Sequence, residues 1–437
     1  MAFLSDVFEY LNENCNYAVL RSYENLPQSY NSHDIDMIIN ESEYDSIKST
    51  IYNIAQKNDY LLLQYYRDER FATLFFQKIK DDSTDLIELD FFFKMSAKGI
   101  LMLDSTEVLS RREFNGKIYH VSLVDEVLDK CLCNAVFGVP YPEKYLNRYE
   151  LLSETEKTEL NQKLHFVFGK KDINFENLNL FIGEKCAKLA VLNSFKNFGF
   201  FNSLWFKLRH FGYLFVNFLK PKGIFISFTG PDGSGKTTVL NIIKESYSKV
   251  FRGSIHINHF RPNIIPRIAV ILHKLKFIET VNEEYDKPHR GKPSGVFVST
   301  LRLLYYILDY IIGYIFYIRP KRFRRNIVIY DRYYSDIIID SFRSNIGLSY
   351  KVINFFGFLI PKPKYGVLLT ANSETILQRK NELNKEEIDV INQKIEYISK
   401  FKNFKRFYNE TTPDKAACEI MSWILKNQDK KLKNKFK

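Results

Sequence analysis

A chain of 437 residues with 45% apolar and 16% aromatic side chains is too long for one ordinary core and too apolar for general disorder. Lysine and arginine number 63 against 51 aspartates and glutamates, and the resulting +12 suits phosphorylated ligands, nucleic acid or an anionic membrane face without choosing among them. Cys15, Cys131, Cys133, Cys186 and Cys418 are odd in number, scattered and free of any C-x-x-C pair, which argues against a disulfide framework or structural zinc and for a reducing compartment. The opening MAFLSDVFEYLNENCNYAV has no basic segment followed by an apolar core, so no signal peptide and a cytoplasmic location are expected.

From Tyr17 to about Val121, short apolar runs (YAVL, DMII, LLLQYY, ATLFFQKI, LIELDFFF) alternate with polar turns, the texture of an α+β domain. Asp34 and Asp36 stand two apart, on one side of an extended strand, where they could share a metal ion. LIELDFFF offers Asp90 as a third carboxylate from a neighbouring strand. Two carboxylates on one strand and one on the next resemble the nucleotidyltransferase superfamily, which holds two magnesium ions for in-line attack on an α-phosphate. The Gly-Ser pair that normally precedes the first carboxylates is absent, with Arg21-Ser22 near that position. A degenerate domain that only binds a nucleotide or sugar phosphate is therefore an open reading. From Leu123 to Leu219 the pattern turns helical, in segments such as LVDEVLDKCLCNAVF and EKCAKLAVLNSF, without a chemical motif. Such a block suits the helical extension of that superfamily. The expected domains are 1–122, a helical extension and linker over 123–222, and 223–437.

LKPKG, Leu219 to Gly223, breaks the helical pattern and opens a strand–helix alternation lasting to about Leu425. The predicted strands are GIFISF, SIHIN, NIVIYD and YGVLLT, and their alternation with helices implies right-handed crossovers and a doubly wound parallel α/β sheet. After the first of them, Gly230-Pro-Asp-Gly-Ser-Gly-Lys-Thr237 fits G-x-x-x-x-G-K-[ST]. Small residues let backbone N–H groups close into a nest for phosphate, and the following helix adds its positive end. Gly230, Asp232, Gly233, Ser234, Gly235, Lys236, Thr237 and Thr238 are thus the expected nucleotide-binding residues. Lys236 would reach the β- and γ-phosphates of ATP and Thr237 would ligate Mg²⁺. LRLLYYILDYIIGYIFYI, Leu301 to Ile318, has the length of a membrane span, but Arg302, Asp309 and its tyrosines make a buried helix the expectation. NIVIYDRYYSD then ends a buried strand on Asp331-Arg332, where a carboxylate can hold magnesium and a guanidinium can clamp a phosphoryl group.

FTGPDGSGKTT followed by YDRYYSD resembles the thymidylate kinase family of P-loop nucleoside monophosphate kinases, over Gly223 to roughly Leu425. The resemblance implies that Asp232 points towards the acceptor and Arg332 towards the phosphate being extended. It also implies that the Ser299–Tyr317 helix lines the acceptor pocket, with Arg302 and Asp309 inward; a mutual salt bridge between those two is the plainer alternative. A flexible arginine-bearing lid is implied as well, and ANSETILQRKNELNKEEI supplies Arg379 and Lys380 for it, although QRKNEL reads equally as a solvated helix face. The family's R-E-P-G segment is reduced to Arg261-Pro262 in INHFRPNIIPRI, and a charged, Pro/Gly-rich insertion follows over 272–299.

The function expected is ATP- and Mg²⁺-dependent phosphoryl transfer by Lys236, Asp331, Arg332 and Arg379, to dTMP or to another small acceptor such as a sugar or glycan. An ATP-binding regulatory module and nucleotidyltransferase activity from the first domain are the alternatives. A phosphorylated small molecule rather than nucleic acid is the expected partner, no integral membrane span is expected, and a homodimer stays open. The KNQDKKLKNKFK tail reads as a frayed basic end and RPKRFRR, Arg319 to Arg325, as a solvated face.

Overall fold

The structure, a computed structural model, describes residues 2–29, 34–80, 83–248, 255–265, 294–380 and 384–436. Most of the expected insertion at 272–299, and part of the expected lid, lie outside the described residues. The chain divides into two compact units: Met1–Lys78, Asp85–Leu219 and Leu425–Lys437 form one, Ile79–Thr84 and Lys220–Ile424 the other.

In the first unit the elements run α1 (Ala2–Asn14), β1 (Tyr17–Val19), β2 (Ile35–Ile39), α2 (Glu41–Lys57), β3 (Leu61–Arg67), β4 (Phe71–Ile79) and β5 (Thr84–Phe92). A hairpin of β6 (Met95–Ala97) and β7 (Ile100–Leu103), the short α3 (Ser105–Ser110), then β8 (Glu113–Phe114) and β9 (Tyr119–His120) follow. Helices α4 (Leu123–Phe137), α5 (Glu143–Glu150), α6 (Glu154–Phe168), α7 (Glu184–Phe198) and α8 (Phe200–Leu219) complete it. Among the described residues the main sheet has the order β3-β4-β5-β2-β1-β9-β8. Period-two alternation sends Tyr17, Val19, Met37 and Ile39 to one face and Ala18 and Ile38 to the other. On the first face they meet Phe3, Val7 and Leu11 of α1 and Tyr44, Ile47 and Ile51 of α2. On the second they meet Val124, Val127, Leu128 and Cys131 of α4, so the helical block and the sheet share one core. All five cysteines are buried and unbridged.

The second unit holds β10 (Phe225–Thr229), α9 (Lys236–Ser248), β11 (Ile255–His259), α10 (Val296–Gly313), a π turn over Tyr314–Ile318 and α11 (Arg319–Phe323). It continues through β12 (Ile327–Asp331), α12 (Tyr334–Ile339), α13 (Tyr350–Phe356), β13 (Tyr365–Thr370), α14 (Ser373–Arg379), α15 (Lys385–Ser399), β14 (Phe404–Tyr408) and α16 (Pro413–Leu432). Its sheet is parallel throughout, in the order β11-β12-β10-β13-β14, the doubly wound arrangement that strand–helix alternation implies. The strand β14 is absent from the sequence expectation because FKRFY interleaves charge with aromatics and reads as surface.

Two expectations are corrected. The apolar run after residue 296 is a helix, but only one face of it is buried: Ser299, Leu303, Ile307, Asp309 and Tyr310 turn inward. Leu301, Leu304, Leu308 and Phe316 are exposed. Composition cannot tell a helix covered all round from one covered on a stripe. The basic tail is not frayed either. The helix α16 runs to Leu432, Phe436 is buried between Tyr52 and Tyr65, and Asp429 accepts from the Tyr52 hydroxyl and the Leu62 N–H, both at 3.0 Å. One aromatic and one buried carboxylate anchor a segment that charge alone marks as solvated.

Candidate nucleotide and phosphoryl-transfer site

Every residue of β10 is buried, and the strand lies between β12 and β13. The strand order reverses around β10, which opens a crevice at the carboxyl ends of the parallel strands. Four of those ends supply the site: Gly230 after β10, Asp331 ending β12, Ala371 after β13 and Asn409 after β14. The loop is glycine-rich for reasons visible in the structure. A Cβ at Gly230 would stand 1.9 Å from the Leu369 carbonyl oxygen, so the loop can leave the sheet here only without a side chain. Gly235 has φ +84°, and a Cβ on it would meet Asn409 Nδ2 at 2.3 Å.

Lys236 begins α9 and is 5% exposed. Its Nζ donates to the carbonyls of Gly230 (2.8 Å) and Pro231 (2.7 Å), closing the loop on itself. Burial, and then the positive charge of Arg332, lower its pKa from 10.5 to about 8. A phosphate oxygen would replace two neutral carbonyls with a charged acceptor, a stronger partner for an ammonium group. Thr237 and Thr238 are exposed on the first turn of α9, and Ser234 is buried beneath the loop.

Asp331 and Arg332 lie beside this loop. Asp331 Oδ2 is 3.2 Å from His259 Nδ1, while Oδ1 is buried and has no hydrogen-bond partner among the described residues. Burial raises the Asp331 pKa, but the His259 contact and the charges of Lys236 and Arg332 outweigh it and hold the carboxyl below its ordinary value. An ionised, half-satisfied carboxylate beside a threonine-tipped phosphate loop fits a hard divalent cation, with Asp331 and Thr237 as the residues to hold it.

Arg332 has φ +68°, a conformation that costs a non-glycine residue about 1 kcal/mol or more. Its N–H donates to Phe228 O (2.8 Å), which ties the turn to β10. The guanidinium is 6% exposed and reaches Asp232 with one nitrogen and Asp336 Oδ2 (3.1 Å) with the other. Burial disfavours its charge, but Asp336, Asp232 and Asp331 hold it firmly protonated. Asp232 also pairs with Arg343 Nη2 at 3.0 Å, and despite burial these cations keep its carboxyl far below the usual range. Two arginines therefore converge on one carboxylate at the mouth of the loop.

Arg379, at the end of α14, donates to Asn409 O (3.0 Å), with Nη1 3.9 Å from a Cβ built on Gly235. Lys380 Cβ lies 3.3 Å from a Cβ built on Gly233. Arg302 and Asp309 do not pair with each other. Asp309 is fully buried and accepts from Arg261 (3.2 Å), Asn263 N–H (3.1 Å) and Ile265 N–H (2.8 Å). Arg261 lies over the Tyr306 ring at 4.9 Å. Arg302 donates to Asn345 O at 2.7 Å, steadying the turn that carries Arg343. A cleft of about 520 Å³ opens next to that turn, lined by Ser294, Ser341, Phe342, Gly347, Tyr350 and Lys394 among others.

In the first unit, Asp36 and Asp90 stand on neighbouring strands, as expected. Asp36 and Asp90 are partners in the parallel β2–β5 register, and Asp34 precedes β2. Arg21 Nη2 sits 2.5 Å from Asp36 Oδ2 and Arg21 Nη1 3.5 Å from Asp129 Oδ2. Burial pushes Asp36 up to about 6, against the pull of Arg21 and with help from Asp34 and Asp129. Among the described residues no group of three or more His, Cys, Asp or Glu side chains is positioned to hold a metal ion. Asp34, Asp36 and Asp90 do not form such a group, and Asp36 is paired with Arg21 instead.

Sequence reasoning missed Arg343, Asp336, His259 and Asn409. Asp336 was within reach, four residues after Arg332 in the motif; the others come from distant segments with no local signature.

Residues 228–422 match the family model for thymidylate kinase. The second unit carries a thymidylate kinase family domain. Among solved structures, thymidylate kinase from Ehrlichia chaffeensis is similar at 16% identity and a TM-score of 0.33, covering 46% of this chain and 98% of that one. No curated protein matches the chain. As a thymidylate kinase family domain, the second unit is a P-loop kinase fold suited to ATP-dependent phosphoryl transfer.

Proposed function

We propose that the thymidylate kinase family domain transfers the γ-phosphoryl group of ATP to a small acceptor that already carries phosphate. The observation that carries this reading is the double arginine clamp on Asp232, beside a complete phosphate loop. Asp232 is the anion held between Arg332 and Arg343. An acceptor phosphate would take that place, with its body towards the cleft beside Phe342. Lys236 and the loop amides would hold the β- and γ-phosphates of ATP. Asp331 and Thr237 would hold Mg²⁺, which when bound neutralises charge on the phosphates. Arg379 is proposed to meet charge developing on the transferred group, which its closeness to Gly235 supports.

The acceptor is dTMP or another phosphorylated metabolite, a sugar phosphate included. Arg261, the remnant of the family's acceptor segment, is committed to Asp309, which favours an acceptor other than dTMP. The first unit is proposed as a nucleotidyltransferase-like domain that binds rather than catalyses, because Arg21 neutralises its Asp36.

Transfer from γ-labelled ATP with Mg²⁺ to nucleoside monophosphates and sugar phosphates tests the reading. Label should reach one acceptor class, disappear in Lys236→Ala and Asp331→Asn, and persist in Asp36→Asn. ATP hydrolysis with no labelled acceptor in the panel would overturn it in favour of an ATP-binding regulatory module.

A further inference from the structure

Among the described residues, nothing covers an apolar face of the helix α8, and no part of the kinase chemistry uses it. Phe201, Trp205, Leu208, Gly212, Phe215 and Leu219 follow the spacing that lines one side of a helix. Phe201 is 83% exposed and Trp205 and Phe215 64% each, and a Cβ added at Gly212 would meet nothing within 4 Å. Soluble chains seldom leave so many aromatics contiguous in water. The opposite side of α8 is firmly held, so the exposure is not that of a loose segment. Phe206 and Asn217 are buried, Ser203 donates to Ser194 O at 2.8 Å, and Arg209 and His210 are paired with Glu41 and Glu69.

Charge says what covers this face. From Phe198 to Lys222 there is no acidic residue, while Lys207 lies on α8 and the exposed Lys220 directly follows its last residue. A second copy of the same face would set lysines against lysines. An anionic lipid surface satisfies both features, because aromatic rings settle at headgroup level and lysines reach up to phosphate. The helix cannot instead cross the bilayer, since Arg209 and His210 and their partners fix its other side to protein.

We propose that the chain docks peripherally on an anionic membrane surface through α8, which lies in the headgroup plane. In the second unit Leu301, Leu304, Leu308 and Phe316 are likewise exposed along one helical run.

The full chain with Trp423→Phe leaves Trp205 as the single tryptophan reporter, since the sequence contains two. Vesicles of phosphatidylcholine with phosphatidylglycerol should shift its emission to the blue and sediment the protein; pure phosphatidylcholine should do so far less. Phe201→Ser with Phe215→Ser should cut vesicle binding by about tenfold or more, with ATP binding unchanged. If that variant fails to fold, Lys207→Glu with Lys220→Glu gives an independent reading and should abolish the preference for the anionic lipid. No vesicle binding, equal binding by the variants, or a dimer that the serine substitutions dissociate would each overturn the proposal, the last in favour of a second copy.

Discussion

Lys236 is held by two carbonyls of its own loop, and its lowered pKa makes nucleotide binding dependent on pH. Bound phosphates favour the charged ammonium, so above about 8 the free protein must take up a proton to bind, and affinity for ATP should fall by about tenfold per pH unit there. Lys236→Arg, which stays charged, should flatten that fall; calorimetric titrations at several pH values measure both. For folding the sign is the reverse of a stabilising cation. The folded pKa lies below the unfolded 10.5, so this lysine disfavours folding when protonated, and that penalty is relieved as pH rises from about 8 towards 10.5. Asn409 is the second residue to test, because its Nδ2 donates to Ser234 O at 2.9 Å and packs on Gly235. Asn409→Ala removes about 1 kcal/mol of support, and the KM for ATP should rise roughly fivefold with the fold retained. The phosphate loop was legible because one contiguous stretch contains the whole cradle. Asn409 and Arg343 were not, since only the sheet order brings β14 to that loop, and only tertiary packing brings the 342–344 turn.

Among the elements, α10 shows what periodicity can and cannot supply. Its apolar run made a helix certain enough to predict, and the spacing of Arg302 and Asp309 put both on one side. Their mutual pair, the plainer alternative, does not form, because the partners lie on segments that arrive from elsewhere: Asp309 is saturated by Arg261 and the 263–265 backbone, and Arg302 by the turn at 344–345. Asp309→Asn would set an amide against two backbone N–H donors and leave Arg261 without its counter-charge. Breaking one side of a buried ion pair costs about 3 kcal/mol, so the second unit should unfold at clearly lower urea concentration. Adding Arg261→Met to that variant should recover part of the loss, because the stranded charge goes with it; a double-mutant cycle reads the coupling. The strand β12 was legible to its last residue, since NIVIYD is apolar until the carboxylate that ends it. The strand β14 was invisible, its alternation blurred by Lys405 and Arg406.

At the scale of the whole molecule, the sequence separates the two units where LKPKG breaks the helical pattern, but it does not show where the last residues go. The end of the chain, Leu425–Lys437, groups with the first unit although two hundred residues of the second precede it. The reason is local and chemical. Asp429 is 8% exposed and accepts from Tyr52 through both oxygens at 3.0 Å, from the Leu62 N–H at 3.0 Å and from Gln56 Nε2 at 3.3 Å. Phe436 stacks on Tyr52 with centroids 5.1 Å apart. Asp429→Ala strands a buried N–H and a buried hydroxyl, each costing about 1–3 kcal/mol, so the first unit should lose about 3 kcal/mol of stability. Phe436→Ala should cost a further 3 kcal/mol or so through the cavity it leaves. Because Lys236 and its loop belong to the other unit, ATP affinity is the internal control. Scanning calorimetry should show one transition moving down while nucleotide binding holds. A variant that lost ATP binding in parallel with the transition would mean that the tail acts on the kinase site as well as on the first unit.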